Sequence, residues 1–80
     1  MKRREGYEGY VIVARSFEVD EGEFSAQFTI EEHDPERVME TEFCLPDTFS
    51  TMESAIEVAI QAGRQKIDVG FERGKVVVNE

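Results

Sequence analysis

Two runs of alternating hydrophobicity, followed by one run at helical spacing, constrain this chain more than any other feature. From Glu23 to Glu31, Phe24, Ala26, Phe28 and Ile30 fall on one parity, and Ser25, Gln27 and Thr29 on the other. From Val38 to Leu45, Met39, Thr41, Phe43 and Leu45 oppose Glu40, Glu42 and Cys44. A period of two sends alternate side chains to opposite faces, so each run predicts a half-buried antiparallel strand. The stretch from Glu32 to Arg37 between them reads as a loop, because Pro35 has no amide to donate to a ladder. Pro46-Asp47 ends the second run. Beyond it, Ser50-Thr51-Met52-Glu53 fits a capping box with Ser50 as the cap. Met52, Ala55, Ile56, Ala59, Ile60, Gly63 and Ile67 then recur at three- and four-residue steps, which is one face of a helix. Glu53 and Glu57 early in that run, and Arg64 and Lys66 late in it, suit the helix dipole. Gly63 on the apolar face predicts a close approach to a sheet, and Gly70 an end.

Upstream, Tyr7 to Val19 reads as the first strand, with Tyr10-Val11-Ile12-Val13-Ala14 apolar on both parities. The turn Asp20-Glu21-Gly22-Glu23 joins it to the next strand, with Gly22 free to take a positive φ. Residues 1–6 read as a flexible basic arm, and residues 71–80, with three consecutive valines, as a tail or short strand. The expected fold is α+β. It is a three-stranded antiparallel meander with one C-terminal helix packed on one face, and an optional short fourth strand at the C-terminus. Residues 7–70 form its single domain, since 80 residues support one core. One helix covers one face of a sheet. Val11, Val13, Phe17 and Val19 have the parity opposite to Tyr10, Ile12 and Ala14. An apolar face therefore remains for the tail, a second copy or another protein. Those four residues are the candidate interaction face, and a protein partner or a homodimer is the expected occupant.

Charge narrows the function. The chain carries 9 basic and 18 acidic side chains, a net charge of −9. Arg37 is the sole base between Glu18 and Glu57, and the remaining bases sit toward the two ends. Such a chain is repelled by phosphate backbones and anionic membranes and suits a basic protein partner. No apolar run is long enough to span a bilayer, and the basic start Met1–Arg4 is not followed by an apolar stretch. A cytoplasmic protein is the expectation. Cys44, the single cysteine, cannot pair within the chain and lies between Phe43 and Leu45, as a reduced structural thiol would. His33, the single histidine, stands among Glu31, Glu32, Asp34 and Glu36. Adjacent strand residues diverge, however, so they do not converge as metal ligands. The Asp20–Glu23 turn lacks the spaced ligands of a calcium loop, and no glycine cluster fits a phosphate-binding fingerprint. The expectation is a non-enzymatic protein with no catalytic residue, cofactor, metal or small-molecule substrate.

Three resemblances follow from these residues. The helix spacing Ala55, Ala59, Gly63, Arg64, Ile67 and Asp68, preceded by Leu45-Pro46, resembles a small bacterial family of unknown function. That likeness covers residues 7 to 70 and implies a short β-β-β-α domain with no assigned activity. The turn Asp20–Phe24 into an alternating strand, with a capped helix carrying Ser50, Glu53, Ala55 and Ala59, is similar to HicB-type antitoxins. This likeness implies an acidic protein that neutralises a small basic toxin. The chain departs from that family where Thr29-Ile30-Glu31 replaces a proline-rich segment. Finally, three strands and a terminal helix resemble the later part of a double-stranded-RNA-binding domain. Thr51–Ser54 at the helix start carries none of the bases that grip phosphates there, so nucleic-acid binding would rest on the basic termini alone.

Overall fold

The computed structural model describes residues 1–72 together with the backbone of residues 75–78. Its elements run β1 (Lys2–Tyr7), β2 (Tyr10–Arg15), β3 (Glu18–Asp20), β4 (Glu23–Phe24), β5 (Gln27–His33), β6 (Arg37–Cys44), α1 (Met52–Val69) and β7 (Lys75–Val78). Strands β1, β2, β5 and β6 form an antiparallel sheet in that order, extended to five strands by the backbone of β7 on β6. Strands β3 and β4 make a separate two-stranded ribbon.

The three-stranded meander is therefore incorrect, for two physical reasons. The first lies at the N-terminus. Lys2–Tyr7, expected as a loose arm, is an edge strand in register with β2 from Lys2↔Arg15 to Tyr7↔Tyr10. Glu8 (φ 51°) and Gly9 (φ 85°) both take the left-handed conformation, and two such residues make the tight turn whose twist matches a hairpin. Charged side chains hid this strand, because an edge strand carrying Lys and Arg shows no apolar alternation. The second lies at Ser16-Phe17 and Ser25-Ala26, where the long hairpin from Tyr10 to His33 bends. Ser16 Oγ donates to the Ser25 carbonyl at 2.6 Å, and Ser25 Oγ accepts from the Phe17 amide at 3.3 Å. Phe24 exchanges two backbone hydrogen bonds with Phe49, at 2.8 and 2.9 Å. Side-chain hydroxyls and the loop before the helix thus replace part of the ladder. The hairpin tip, β3 and β4, leaves the main sheet, with a register shift between Glu18 and Asp20. Gly22 turns it at φ 72°, as its position predicts.

The alternating runs keep their parity. Ala26, Phe28 and Ile30 are buried, and Phe24, Phe43 and Leu45 pack against them. The loop between β5 and β6 is shorter than the sequence suggests: pairing continues to His33↔Val38. The Asp34 amide donates to the Arg37 carbonyl at 3.0 Å. Asp34 Oδ1 accepts from the amides of Glu36 and Arg37 at 3.1 and 2.9 Å, with Pro35 as the second residue of the turn.

Helix α1 is capped by Thr51, whose hydroxyl accepts from the Ser54 amide at 3.0 Å. The cap falls one residue after the Ser50 of the expected capping box. Gly70 closes the helix at φ 98°, its amide donating to the Lys66 carbonyl. The buried line Ala55, Ile56, Ala59, Ile60 and Gly63 lies on Ile12, Ala14, Phe28 and Ile30. Burial of each large side chain there contributes about 1.5–3 kcal/mol. Gly63 meets Ile12 so closely that a Cβ at this position would stand 2.8 Å from Ile12 Cγ2. A single small residue thus sets how near the helix approaches the sheet.

Candidate interaction surface

The four residues expected to form one apolar face are divided. Ile12 and Ala14 point toward α1, so Val11 and Val13 point to the other side of β2. Val13 is nevertheless 0% exposed. Its neighbours in register are Arg4 on β1 and Thr29 on β5. Arg4 reaches Glu31 with its guanidinium, Nη2 to Oε1 at 3.2 Å, and Arg15 Nη1 donates to Thr29 Oγ1 at 3.0 Å. Arg4 lies directly across the ladder from Val13 and Arg15 two residues along β2, on the same face, and aliphatic stems of such side chains can cover apolar atoms while their heads stay hydrated. The helix-free face is closed at Val13 from within the chain, and Val11 beside it is half-buried.

Phe17 and Val19 differ. They are 50% and 55% exposed, at the bend and on the β3–β4 ribbon. Met1, also exposed, lies across from Ser16 at the same end of the sheet, its amide-to-carbonyl pairing closed by two hydrogen bonds. Acids rim this end. Glu18, Asp20, Glu21 and Glu23 surround Gly22; Glu18 Oε2 accepts from the Gly22 amide, and Glu23 Oε1 accepts from the Thr48 hydroxyl at 2.9 Å. An exposed apolar pair with carboxylates at positions 18, 20, 21 and 23 beside it is complementary to an apolar surface bordered with lysine or arginine.

The basic N-terminal segment is largely committed within the chain. Residues of β1 on the helix side reach α1 in sequence: Arg3 to Glu57 at 3.0 Å, Glu5 to Arg64, and the Tyr7 hydroxyl to Asp68 Oδ1 at 2.8 Å. The Arg64 guanidinium also lies 5.8 Å from the centre of the Tyr7 ring. The Asp68 hydrogen bond comes first, with lesser contributions from burial and the carboxylate charge, in holding the Tyr7 phenol above its ordinary pKa. These pairings went unseen in the sequence because β1 did. The period-two order Arg3, Glu5, Tyr7 against carboxylates and Arg64 on the helix was the available signal.

On the opposite face, Glu31 collects two partners, Arg4 and His33, whose Nε2 lies 2.8 Å from Glu31 Oε1. Partial burial pushes the Glu31 carboxyl upward. The hydrogen bonds from His33 and Arg4 together outweigh it and bring the group below its ordinary value. His33 thus hydrogen-bonds a carboxylate at a strand end. Cys44 is exposed, on the parity opposite Phe43, which stacks on Phe28 at 4.9 Å. The thiol therefore stands on the face opposite the apolar cluster, as its parity predicts. A groove of about 400 Å³ runs along the last turns of α1, lined by Leu45, Ala62, Gln65, Lys66, Val69 and Gly70. Lys66 is the one charged residue in that lining. Among the described residues, no group of three or more His, Cys, Asp and Glu is placed to hold a metal ion, and no helix is long and apolar enough to cross a membrane.

The profile of a protein family described as a domain of unknown function (DUF6566) matches residues 1–79. No curated protein and no solved structure matches the chain. The match agrees with the likeness to a small family of unknown function and carries nothing that supports the likeness to HicB-type antitoxins. It also extends to the N-terminal residues that form β1.

Proposed function

We infer the function from geometry alone, because the chain belongs to the family described as a domain of unknown function (DUF6566) and membership brings no activity with it. We propose from its geometry that it is a non-enzymatic domain that works by protein–protein contact. The observation that carries this reading is the half-exposure of Phe17 at the bend and of Val19 on the ribbon separate from the main sheet. The acids from Glu18 to Glu23 set the character of the partner. It presents an apolar spot bordered by lysine or arginine, is drawn in by charge, and is released by salt. The helix-free face at Val13 is not the contact, since its apolar atoms are already covered.

The test compares the unaltered chain with the double variant Phe17→Ser, Val19→Ser, each immobilised and exposed to host lysate at low salt. Proteins retained by the first, lost with the second and eluted by moderate salt support the reading. Identical sets of retained proteins overturn it, provided both chains show the same far-ultraviolet circular dichroism. Binding of a small basic toxin would be one instance of such a partner.

A further inference from the structure

Strand β1 is held unlike the strands beside it. None of its residues is fully buried, and Tyr7 alone among them packs against the core cluster. What fixes it is the ladder to β2 and four side-chain ties: Arg3 to Glu57, Arg4 to Glu31, Glu5 to Arg64, and Tyr7 to Asp68. Arg3–Glu57 is exposed on both sides, and each of the other two ion pairs keeps at least one partner partly exposed; such pairs contribute little net stability and weaken with salt. The strand beneath it is the reverse. Ile12, Val13 and Ala14 of β2 are wholly buried, and an apolar strand with a bare edge is a template for another strand. The hinge between the two is a two-residue turn that forces Glu8, a residue with a Cβ, to φ 51°. Straightening that hinge releases the unfavourable conformation, and short strained hinges favour exchange of the element they carry.

We infer that β1 is an exchangeable strand: it leaves its own sheet, and β1 of a second copy of this chain takes its place, giving a dimer joined by reciprocal exchange. A second copy is the fitting occupant because the ties are a matched set. Arg3, Glu5 and Tyr7 recur at strand spacing, while Glu57, Arg64 and Asp68 follow along the helix. A foreign strand has no reason to carry that order. Every tie broken within one copy is remade between copies, so the exchanged form loses no contact and relaxes both hinges. This inference is independent of the contact proposed at Phe17 and Val19, which lie on the β3 side of the bend.

A charge-swap complementation tests it. In the variant Glu5→Lys, position 5 repels Arg64 of the same chain; in the variant Arg64→Glu, position 64 repels Glu5. When the two variants exchange strands with each other, the introduced lysine of the first meets the introduced glutamate of the second. The native Glu5 of the second meets the native Arg64 of the first, so both ties are attractive. The two variants are unfolded together in denaturant, refolded as a mixture, and weighed by sedimentation and native mass spectrometry. The unaltered chain is carried through the same steps. The expected result is a one-to-one mixed dimer at twice the 9.2 kDa chain mass, favoured at least tenfold over either variant's own dimer. The unaltered chain should yield a dimer fraction that rises with protein concentration. If either variant alone fails to fold, recovery of folded circular dichroism on mixing gives the same support. Mixtures whose variants stay apart or stay unfolded, or an unaltered chain that remains monomeric after concentrated refolding, overturn the exchange.

Discussion

At the scale of single residues, Gly63 shows how much geometry one absent methyl group can set. The helical run already marked this glycine as a contact, since it sits on the apolar parity of α1 where alanine would make the better helix. The structure supplies its neighbour, Ile12, wholly buried and branched at Cβ, with little room to move. Gly63→Ala gains about 1 kcal/mol of helix propensity and loses about 1–3 kcal/mol to overpacking. The expected outcome is net destabilisation, read as a lower urea midpoint at unchanged slope. Val13 makes a second case. Parity identified its face correctly, but parity does not show that Val13 is closed off there, with Arg4 across the ladder on β1. That cover depends on which side chains lie across the ladder, hence on a strand that reads as an arm. Val13→Lys places a charge beneath the Arg4–Glu31 pair and should lower stability by about 2–4 kcal/mol. Denaturant unfolding checks this; a variant as stable as the parent would show that the site is solvated after all.

At the scale of elements, the long periodic segments were legible and the short, charged or bent ones were not. Strands β5 and β6 and helix α1 follow from their hydrophobic period, because each buries one face and must repeat at its own spacing. The seam Ala55, Ala59, Gly63 was visible too, and Arg64 and Asp68 prove to be its ties to the edge strand. Strand β1 carried no period to read, and its turn, Glu8-Gly9, lacks the asparagine or aspartate that usually announces two left-handed residues. The split of the first strand depends on serine hydroxyls that bond to a segment met only after folding. The candidate contact residues divide the same way: Phe17 and Val19 are apolar in any reading, but their exposure follows from that bend. Glu8→Gly should stabilise the closed hairpin by about 0.5–1 kcal/mol, since glycine takes the left-handed conformation freely at some cost in chain entropy. The same change should lower the exchanged dimer fraction in sedimentation.

At the scale of the whole molecule, the titration of three groups shapes stability across pH. The Glu31 carboxyl is held below its ordinary value of 4.5 in the folded chain. Its contribution is therefore complete above that value and disappears as pH falls through the folded pKa. Asp34 acts with the same sign, its carboxyl lowered first by the Glu36 amide and then by the amide and charge of Arg37. Tyr7 has the opposite sign. Its phenol is raised above 10.0, so its contribution is complete below that value and is lost as pH rises through the folded pKa. The urea midpoint should form a plateau that declines below about pH 4.5 and again above about pH 10. Glu31→Gln should flatten the acid decline, and Tyr7→Phe the alkaline one. An acid limb identical in Glu31→Gln would remove Glu31 from the account.

The ties of β1 have a consequence for how the chain is made. Three of the four join residues 54, 59 and 61 positions apart, so β1 is synthesised well before the helical residues that tie it down. Contacts of such long range form late, because the intervening loop must be closed first. During synthesis the β1–β2 ladder has its local partner in hand, whereas the side-chain ties of β1 to α1 stay unmade until the helix has emerged. In that interval the ladder to β2 holds the first strand without its ties to the helix.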